Sequence, residues 1–270
     1  MFIDTHAHLQ LSHFDADRAE VIQRAFDAGV EKIIVVSTDV ASSRQSLELA
    51  EKFSGIYVAV GIHPTDCEKA TEDDFAAIAE LARHPKAVAI GEIGMDFYWK
   101  PFSLEKQQQA LIRQLYLARE LQKPVIIHNR EAGAAILQTL QLAGITHLSG
   151  VFHCFSENVE YAERVLALGC HISFTGNLTY KKSLLPAAMQ IPLERILLET
   201  DAPFMTPMPH QKEKKRNEPA YTVHVAEKLA EIKKLPISEV ARQTTANAVS
   251  LFKLSAERSE QSAKRREHNT

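Results

Sequence analysis

Eight short, nearly continuous apolar runs rich in β-branched residues punctuate this chain, and that rhythm restricts its fold more than any other feature. They fall at residues 2–6, 33–38, 56–61, 87–92, 125–128, 150–153, 171–174 and 195–199. Strands apolar on both faces suit a parallel sheet covered by helices. The segments 16–28, 41–53, 72–83, 104–121, 131–143 and 159–168 between them have helical spacing. In 104–121, Leu111, Leu115, Ala118 and Leu121 recur at three and four, the stripe of an amphipathic helix. Gly29, Gly144 and Gly169 each follow a helical segment, where a left-handed residue ends a helix. Thr71 with Asp74 reads as a capping box with Asp in place of Glu. Helices over 222–234 and 238–254 close the chain.

Strand–helix alternation repeated in this way predicts an α/β fold, a single-domain (β/α)8 TIM barrel over residues 1–254. A doubly wound open sheet is the runner-up, weakened because no Gly-rich phosphate loop follows the first strand. Residues 255–270 are polar and lack an apolar stripe, so they are expected to form a disordered tail.

Composition excludes several classes. A chain with 45% hydrophobic and 24% charged residues is ordinary for a folded globular protein. Three cysteines without a C-x-x-C do not make a disulfide scaffold. The start M-F-I-D-T-H lacks the basic and apolar character of a signal peptide, and no run approaches the ~20 apolar residues that span a bilayer. The expectation is a cytoplasmic monomer with no membrane partner. A net charge of −3 argues against a bulk-basic protein that coats a duplex. It leaves open an enzyme that grips one phosphate.

The chemistry stands at the C-terminal ends of the strands, the face where barrels of this type build active sites. There the chain presents Asp4, His6 and His8, then His63, Glu92, His128 with Arg130, His153, and Glu199 with Asp201. His6 and His8 are two apart on an extended chain, so both point to one side and can chelate one metal. His128 and His153 add two nitrogens from neighbouring strands, and Glu92 and Asp201 add carboxylates. Four imidazoles and two carboxylates exceed one tetrahedral site and match two metals ~3.5–4 Å apart sharing a bridging carboxylate, for which Glu92 is the candidate. Such ions activate water near neutral pH and stabilise charge on the attacked group. Asp201 is expected to bind metal and take the proton of the attacking water. Asp4, in phase with the two histidines, is expected to orient a ligand or fill the barrel floor, and Glu199, on the same face as Asp201, to support it from behind. Mixed nitrogen and oxygen ligation leaves magnesium, zinc, manganese and cobalt open. Cys154 alternates with His153 and is read as core.

The set D-T-H-A-H-L, G-I-H-P, G-E-I-G-M-D, I-H-N-R, F-H-C-F-S and E-T-D-A-P, with R-N-E-P and T-T-A-N-A-V-S-L-F further on, resembles the TatD family of metal-dependent hydrolases in the amidohydrolase-like superfamily. The resemblance spans about residues 1–254. It implies a TIM barrel with a dinuclear site on His6, His8, Glu92, His128, His153 and Asp201. It also implies deoxyribonuclease activity, including 3′→5′ exonuclease action on single-stranded DNA, usually with magnesium; some relatives act on aminoacyl-tRNA esters. The chain departs from the family at Glu157, where Gly is common, and in the lysine-rich loop 210–219, which lacks R-G.

A phosphodiester substrate calls for positive groups at the mouth. Arg130, Lys181 and Lys182 qualify, as do Lys212, Lys214, Lys215 and Arg216. His63 is a candidate phosphate contact or support group. Phe97, Tyr98, Trp99 and Tyr180 offer faces for base stacking or simply pack. The alternatives to a DNase are an ester or amide hydrolase, such as an aminoacyl-tRNA deacylase or a small-molecule amidohydrolase, and a non-catalytic barrel.

Overall fold

A computed structural model describes residues 1–99, 103–213 and 215–254. The expected tail at 255–270 and the rim residue Lys214 lie outside those residues. Eight parallel strands pair in chain order: β1 (Phe2–Ala7), β2 (Val30–Val36), β3 (Ile56–Val60), β4 (Ala87–Asp96), β5 (Val125–Arg130), β6 (Gly150–Phe152), β7 (His171–Phe174) and β8 (Ile196–Leu198). A doubly wound sheet reverses its strand order part-way, so this sequential order excludes it. The first and last strands also meet. Ala7 bridges to Ala202, the Asp201 amide donates to the His6 carbonyl at 2.8 Å, and the His8 amide donates to Ala202 at 2.8 Å. The sheet is the expected barrel.

The helices are α1 (Arg18–Asp27), α2 (Val40–Lys52), α3 (Glu72–Leu81), α4 (Leu104–Glu120), α5 (Gly133–Leu142), α6 (Val159–Ala167), α7 (Leu185–Gln190), α8 (Thr222–Lys233) and α9 (Ile237–Phe252). Gly29, Gly144 and Gly169 are left-handed, with φ of 85°, 68° and 89°. Thr71 and Asp74 form the reciprocal capping box that starts α3. The connection from β7 to β8 differs from the others. It runs through tight turns at Gly176–Thr179 and Lys182–Leu184 into α7, six residues that are too few to display a helical stripe in sequence. No helix among the described residues is long and apolar enough to cross a membrane.

Apolar side chains sort by strand phase. Ile34, Tyr57, Ala59, Ala89, Ile126, Val151 and Leu197 form one cluster with Phe252 of α9, while Ile33, Val35, Ile56, Val58, Ile90, Val125 and Ile127 join the larger layer shared with the helices. Two strands break this alternation. Pairing of β1 with β2 slips between Asp4 and Ala7, and pairing of β4 with β5 slips between Ile90 and Ile93. Such irregularities re-aim side chains beside active sites. Here they bracket His6 and Glu92.

Candidate metal centre

Glu92 sits at the centre of the barrel mouth with its two oxygens turned to different partners. Oε2 lies 3.5 Å from His6 Nε2 and 3.7 Å from His8 Nε2. Oε1 lies 2.7 Å from His128 Nδ1, 2.7 Å from His153 Nε2 and 3.6 Å from His63 Nε2. Asp201 completes the first side, its Oδ1 3.3 Å from His8 and 3.7 Å from His6. His6 and His8 face one another Nε2 to Nε2 at 3.2 Å, and His128 Nδ1 faces His153 Nε2 at 3.3 Å. Three overlapping sets, His6–His153–Asp201, His6–His8–Glu92 and His63–Glu92–His128, each bring ligand atoms within 4.8 Å of one another. Nitrogen and carboxylate oxygen atoms so clustered, with several ring nitrogens aimed at each other, suit divalent cations.

Each strand end delivers its residue for a local reason. Asp201 follows β8 in a left-handed conformation, φ 57°, which Asp tolerates better than most residues. Asn217, fully buried, holds that turn by donating from Nδ2 to the carbonyls of Thr200 at 2.8 Å and Phe204 at 2.5 Å. Gly94 sits between Glu92 and Asp96 on β4 with φ 145°, and a Cβ there would fall 2.0 Å from the His128 carbonyl oxygen. Only glycine lets β4 and β5 approach this closely.

Groups behind the ring nitrogens orient the imidazoles. His8 Nδ1 is 2.8 Å from the Val36 carbonyl, His128 Nε2 is 2.9 Å from Asp96 Oδ2, and His63 Nδ1 is 2.7 Å from the Thr65 hydroxyl. Carbonyl and carboxylate partners of this kind set the tautomer of a ligating histidine. Asp96 was given no role on sequence grounds. Its signal was its place four residues after Glu92 on one strand.

Burial opposes ionisation of Glu92, yet the imidazoles of His153, His63 and His6 and the His128 hydrogen bond hold its carboxyl well below the usual range. Asp201 is likewise buried and is lowered by its bond to His8 and by the charges of His6, His8 and His153. Burial and the nearby His128 push His63 down to about 3, so it is a neutral imidazole. His153 is burdened by burial but raised overall by Glu92 and Glu199. Burial lifts Asp4 to about 8.

Glu199 stands behind a candidate ligand other than the one expected. Glu199 does not pair with Asp201. It accepts from the Cys154 amide at 2.6 Å and the Ser173 hydroxyl at 2.7 Å, and it stands 3.6 Å behind His153 Nδ1. Alternation fails because β8 ends at Leu198 and the chain turns left-handed at Asp201. Asp4 accepts from the amides of His6 and Thr200 and from the Thr200 hydroxyl, so it fastens β1 to the end of β8. Cys154 is not core. It is half-buried and left-handed, with Sγ 3.7 Å from Thr175 Oγ1.

The basic residues divide. Arg130 lies over the Tyr98 ring, 3.9 Å from its centroid. Lys181 and Lys182 are exposed beyond β7, and the charge of Lys181 reaches Cys154. Arg216 is bound to both Asp17 oxygens, at 2.9 and 2.7 Å, and Lys215 is paired with Glu213 at 2.6 Å. Arg216 therefore anchors the loop to the start of α1 rather than facing substrate. Glu157 accepts from Asn129 Nδ2 at 3.2 Å. Phe97 packs against the core, while Tyr98 and Trp99 are exposed.

Residues 3–253 match the family model for TatD-related DNases. The chain belongs to that family. A metal-dependent hydrolase of Bacillus subtilis, YabD, is 41% identical over 256 residues, covering 94% of this chain and all of the relative. The 3′-5′ ssDNA/RNA exonuclease TatD of Escherichia coli is 35% identical, covering 92% of this chain and 98% of that protein. The crystal structure of the Escherichia coli TatD homologue YjjV superposes with a TM-score of 0.88 at 35% identity over 94% of this chain and 98% of that one. This chain is accordingly a metal-dependent hydrolase on a TIM barrel.

Proposed function

We propose that this TatD-family hydrolase removes nucleotides from the ends of single-stranded nucleic acid, DNA foremost, using two divalent cations. One observation carries the reading: the two oxygens of Glu92 face separate sets of ligands, His6, His8 and Asp201 on one side and His128 and His153 on the other. A carboxylate so placed is arranged to bridge two ions. When bound, the ions would supply Lewis acidity for the attacked phosphorus and lower the pKa of water. Magnesium, manganese and zinc all fit such donors.

The chain's own groups do the rest. Asp201 stays ionised beside His8 and takes the proton of the attacking water. His63, neutral and within 3.6 Å of Glu92, donates to a non-bridging phosphate oxygen. Arg130 adds positive charge at the rim, and the exposed Lys182 adds another beyond β7. The three unpaired cysteines, Cys67, Cys154 and Cys170, support a reducing, cytoplasmic setting.

The test is hydrolysis of end-labelled single-stranded DNA, RNA, aminoacyl-tRNA and a small lactone by protein reconstituted with each ion. Stepwise shortening of DNA from its 3′ end is expected. Turnover of the ester or lactone with intact DNA overturns the reading in favour of an amidohydrolase. Glu92→Ala is expected to keep the circular dichroism of the barrel while losing bound metal and activity, because the mouth contributes little to the packed core.

A further inference from the structure

Four aromatic side chains are described as exposed, and three of them stand at the mouth: Tyr98 at 48%, Trp99 at 58% and Phe204 at 47%. Tyr98 and Trp99 touch one another, and the Phe204 ring touches His8, so these are grouped rings rather than scattered ones. Tyr98 and Trp99 follow β4, and Phe204 follows β8. In a barrel of eight strands paired in order, β4 and β8 stand across from one another. The rings therefore flank the metal centre from opposite sides.

Both stations are rigid. The amides of Tyr98 and Trp99 donate to Asp96 Oδ1 at 2.9 and 3.0 Å, while Asp96 Oδ2 holds His128. The two rings meet edge to face, centroids 5.0 Å apart. Across the mouth, the Phe204 amide donates to the Asp201 carbonyl at 2.8 Å, and the Phe204 carbonyl accepts from Asn217. Its ring meets His8 edge on, centroids 6.1 Å apart. Each ring is thus held by the residues that hold a candidate metal ligand, and its position relative to the centre is set before any substrate arrives.

Charge completes the pattern. Arg130 lies over Tyr98 and, at 5.6 Å, near Trp99. Among the described residues no carboxylate pairs with it, so its donors are available to a backbone phosphate. Rings beside a positive group suit the faces of unpaired bases. A duplex keeps its bases stacked on each other and offers no free faces to such rings.

We propose that Tyr98 with Trp99 on one side and Phe204 on the other form a stacking clamp that grips the unpaired bases on either side of the phosphate at the centre, with Arg130 on the strand's backbone. The clamp rests on the nuclease reading and explains selection of single strands by that site. Its test compares kcat/KM for a labelled single-stranded oligonucleotide with kcat/KM for an abasic dinucleotide, a small diester with no nucleobase or other aromatic ring to stack. Stacking is worth ~1–3 kcal/mol per base, so Trp99→Ala and Phe204→Ala are each expected to lower that ratio about tenfold. Trp99→Phe and Phe204→Tyr, which keep a ring, are expected to restore most of it. Replacing the two terminal nucleotides by abasic sites should cost the wild type as much as the double alanine variant loses, and should cost that variant nothing further. Trp99 is the sole tryptophan, so oligo(dT) added to the metal-free protein should also quench its fluorescence. Oligonucleotide hydrolysis with ratios within twofold of wild type in both alanine variants overturns the clamp alone. Turnover of the small diester with no attack on oligonucleotides overturns both the clamp and the nuclease reading.

Discussion

The Asp96 carboxylate holds the His128 ring with one oxygen and the Tyr98–Trp99 backbone with the other. Asp96→Asn preserves volume and one acceptor but removes the charge behind the imidazole. Loss of a partner at this position commonly weakens metal binding about 10–100-fold. Metal titration of Asp96→Asn should show that loss, with activity largely recovered at saturating metal. Unchanged affinity would mean that His128 is oriented by Glu92 alone. At this scale the candidate ligands are legible in sequence, since each is an ionisable residue at the end of an apolar run. The groups behind them are less so. Glu199 was assigned to Asp201 by alternation, yet it serves His153, because alternation stops where β8 stops.

The segment from β8 to α8, which includes a 3-10 turn at Pro219–Tyr221, is kept in place by polar bonds. Asn217 carries two backbone carbonyls, Arg216 reaches Asp17 at the start of α1, and Glu218 reaches Arg24 in its last turn. Asn217→Ala would leave the Thr200 and Phe204 carbonyls without their donor in a buried site. A cost of about 1–3 kcal/mol is expected from denaturant unfolding, with weaker metal binding because Asp201 lies within the same turn. A variant as stable as wild type would show that water replaces the amide. The R-N-E-P signature was visible as a motif, but its work is tertiary. Its partners Asp17 and Arg24 lie 199 and 194 residues away, which no local pattern reveals.

Over the whole molecule, the mouth gathers five imidazoles around Glu92 and Asp201 in a largely buried cluster. Cations at that point bind only the folded chain, so they stabilise it by mass action. Metal at about a hundred times its dissociation constant adds about 2.7 kcal/mol, or roughly 5–10 °C for a domain of this size. Chelator should lower Tm by that amount in the wild type and leave Glu92→Ala unmoved. The floor of the barrel sets a separate pH dependence. His171, at the start of β7, is pushed down to about 4 by burial and by Arg195. Between pH 6.5 and 4 the unfolded chain binds a proton that the folded chain refuses, so stability falls as pH drops through this window and is unaffected above it. Allowing for its partial exposure, the loss is about 1–2 kcal/mol. His171→Gln should flatten the stability profile over that range, and an unchanged slope would assign it to other groups.

By itself the sequence determined the barrel and the inventory of its mouth. Eight buried runs with helices between them have few other ways to cover both faces of a sheet, and the residues at their ends must share one rim. What only the tertiary structure decided is who partners whom. Barrel closure sets His6 and His8, at the start of the chain, against Asp201 near its end, through backbone bonds between β1 and the stretch after β8. The slips in β1 and β4 and the left-handed turn at Asp201 then aim the ligands. Side-chain direction follows the alternation of two only while strand pairing is regular, and at this mouth it is not.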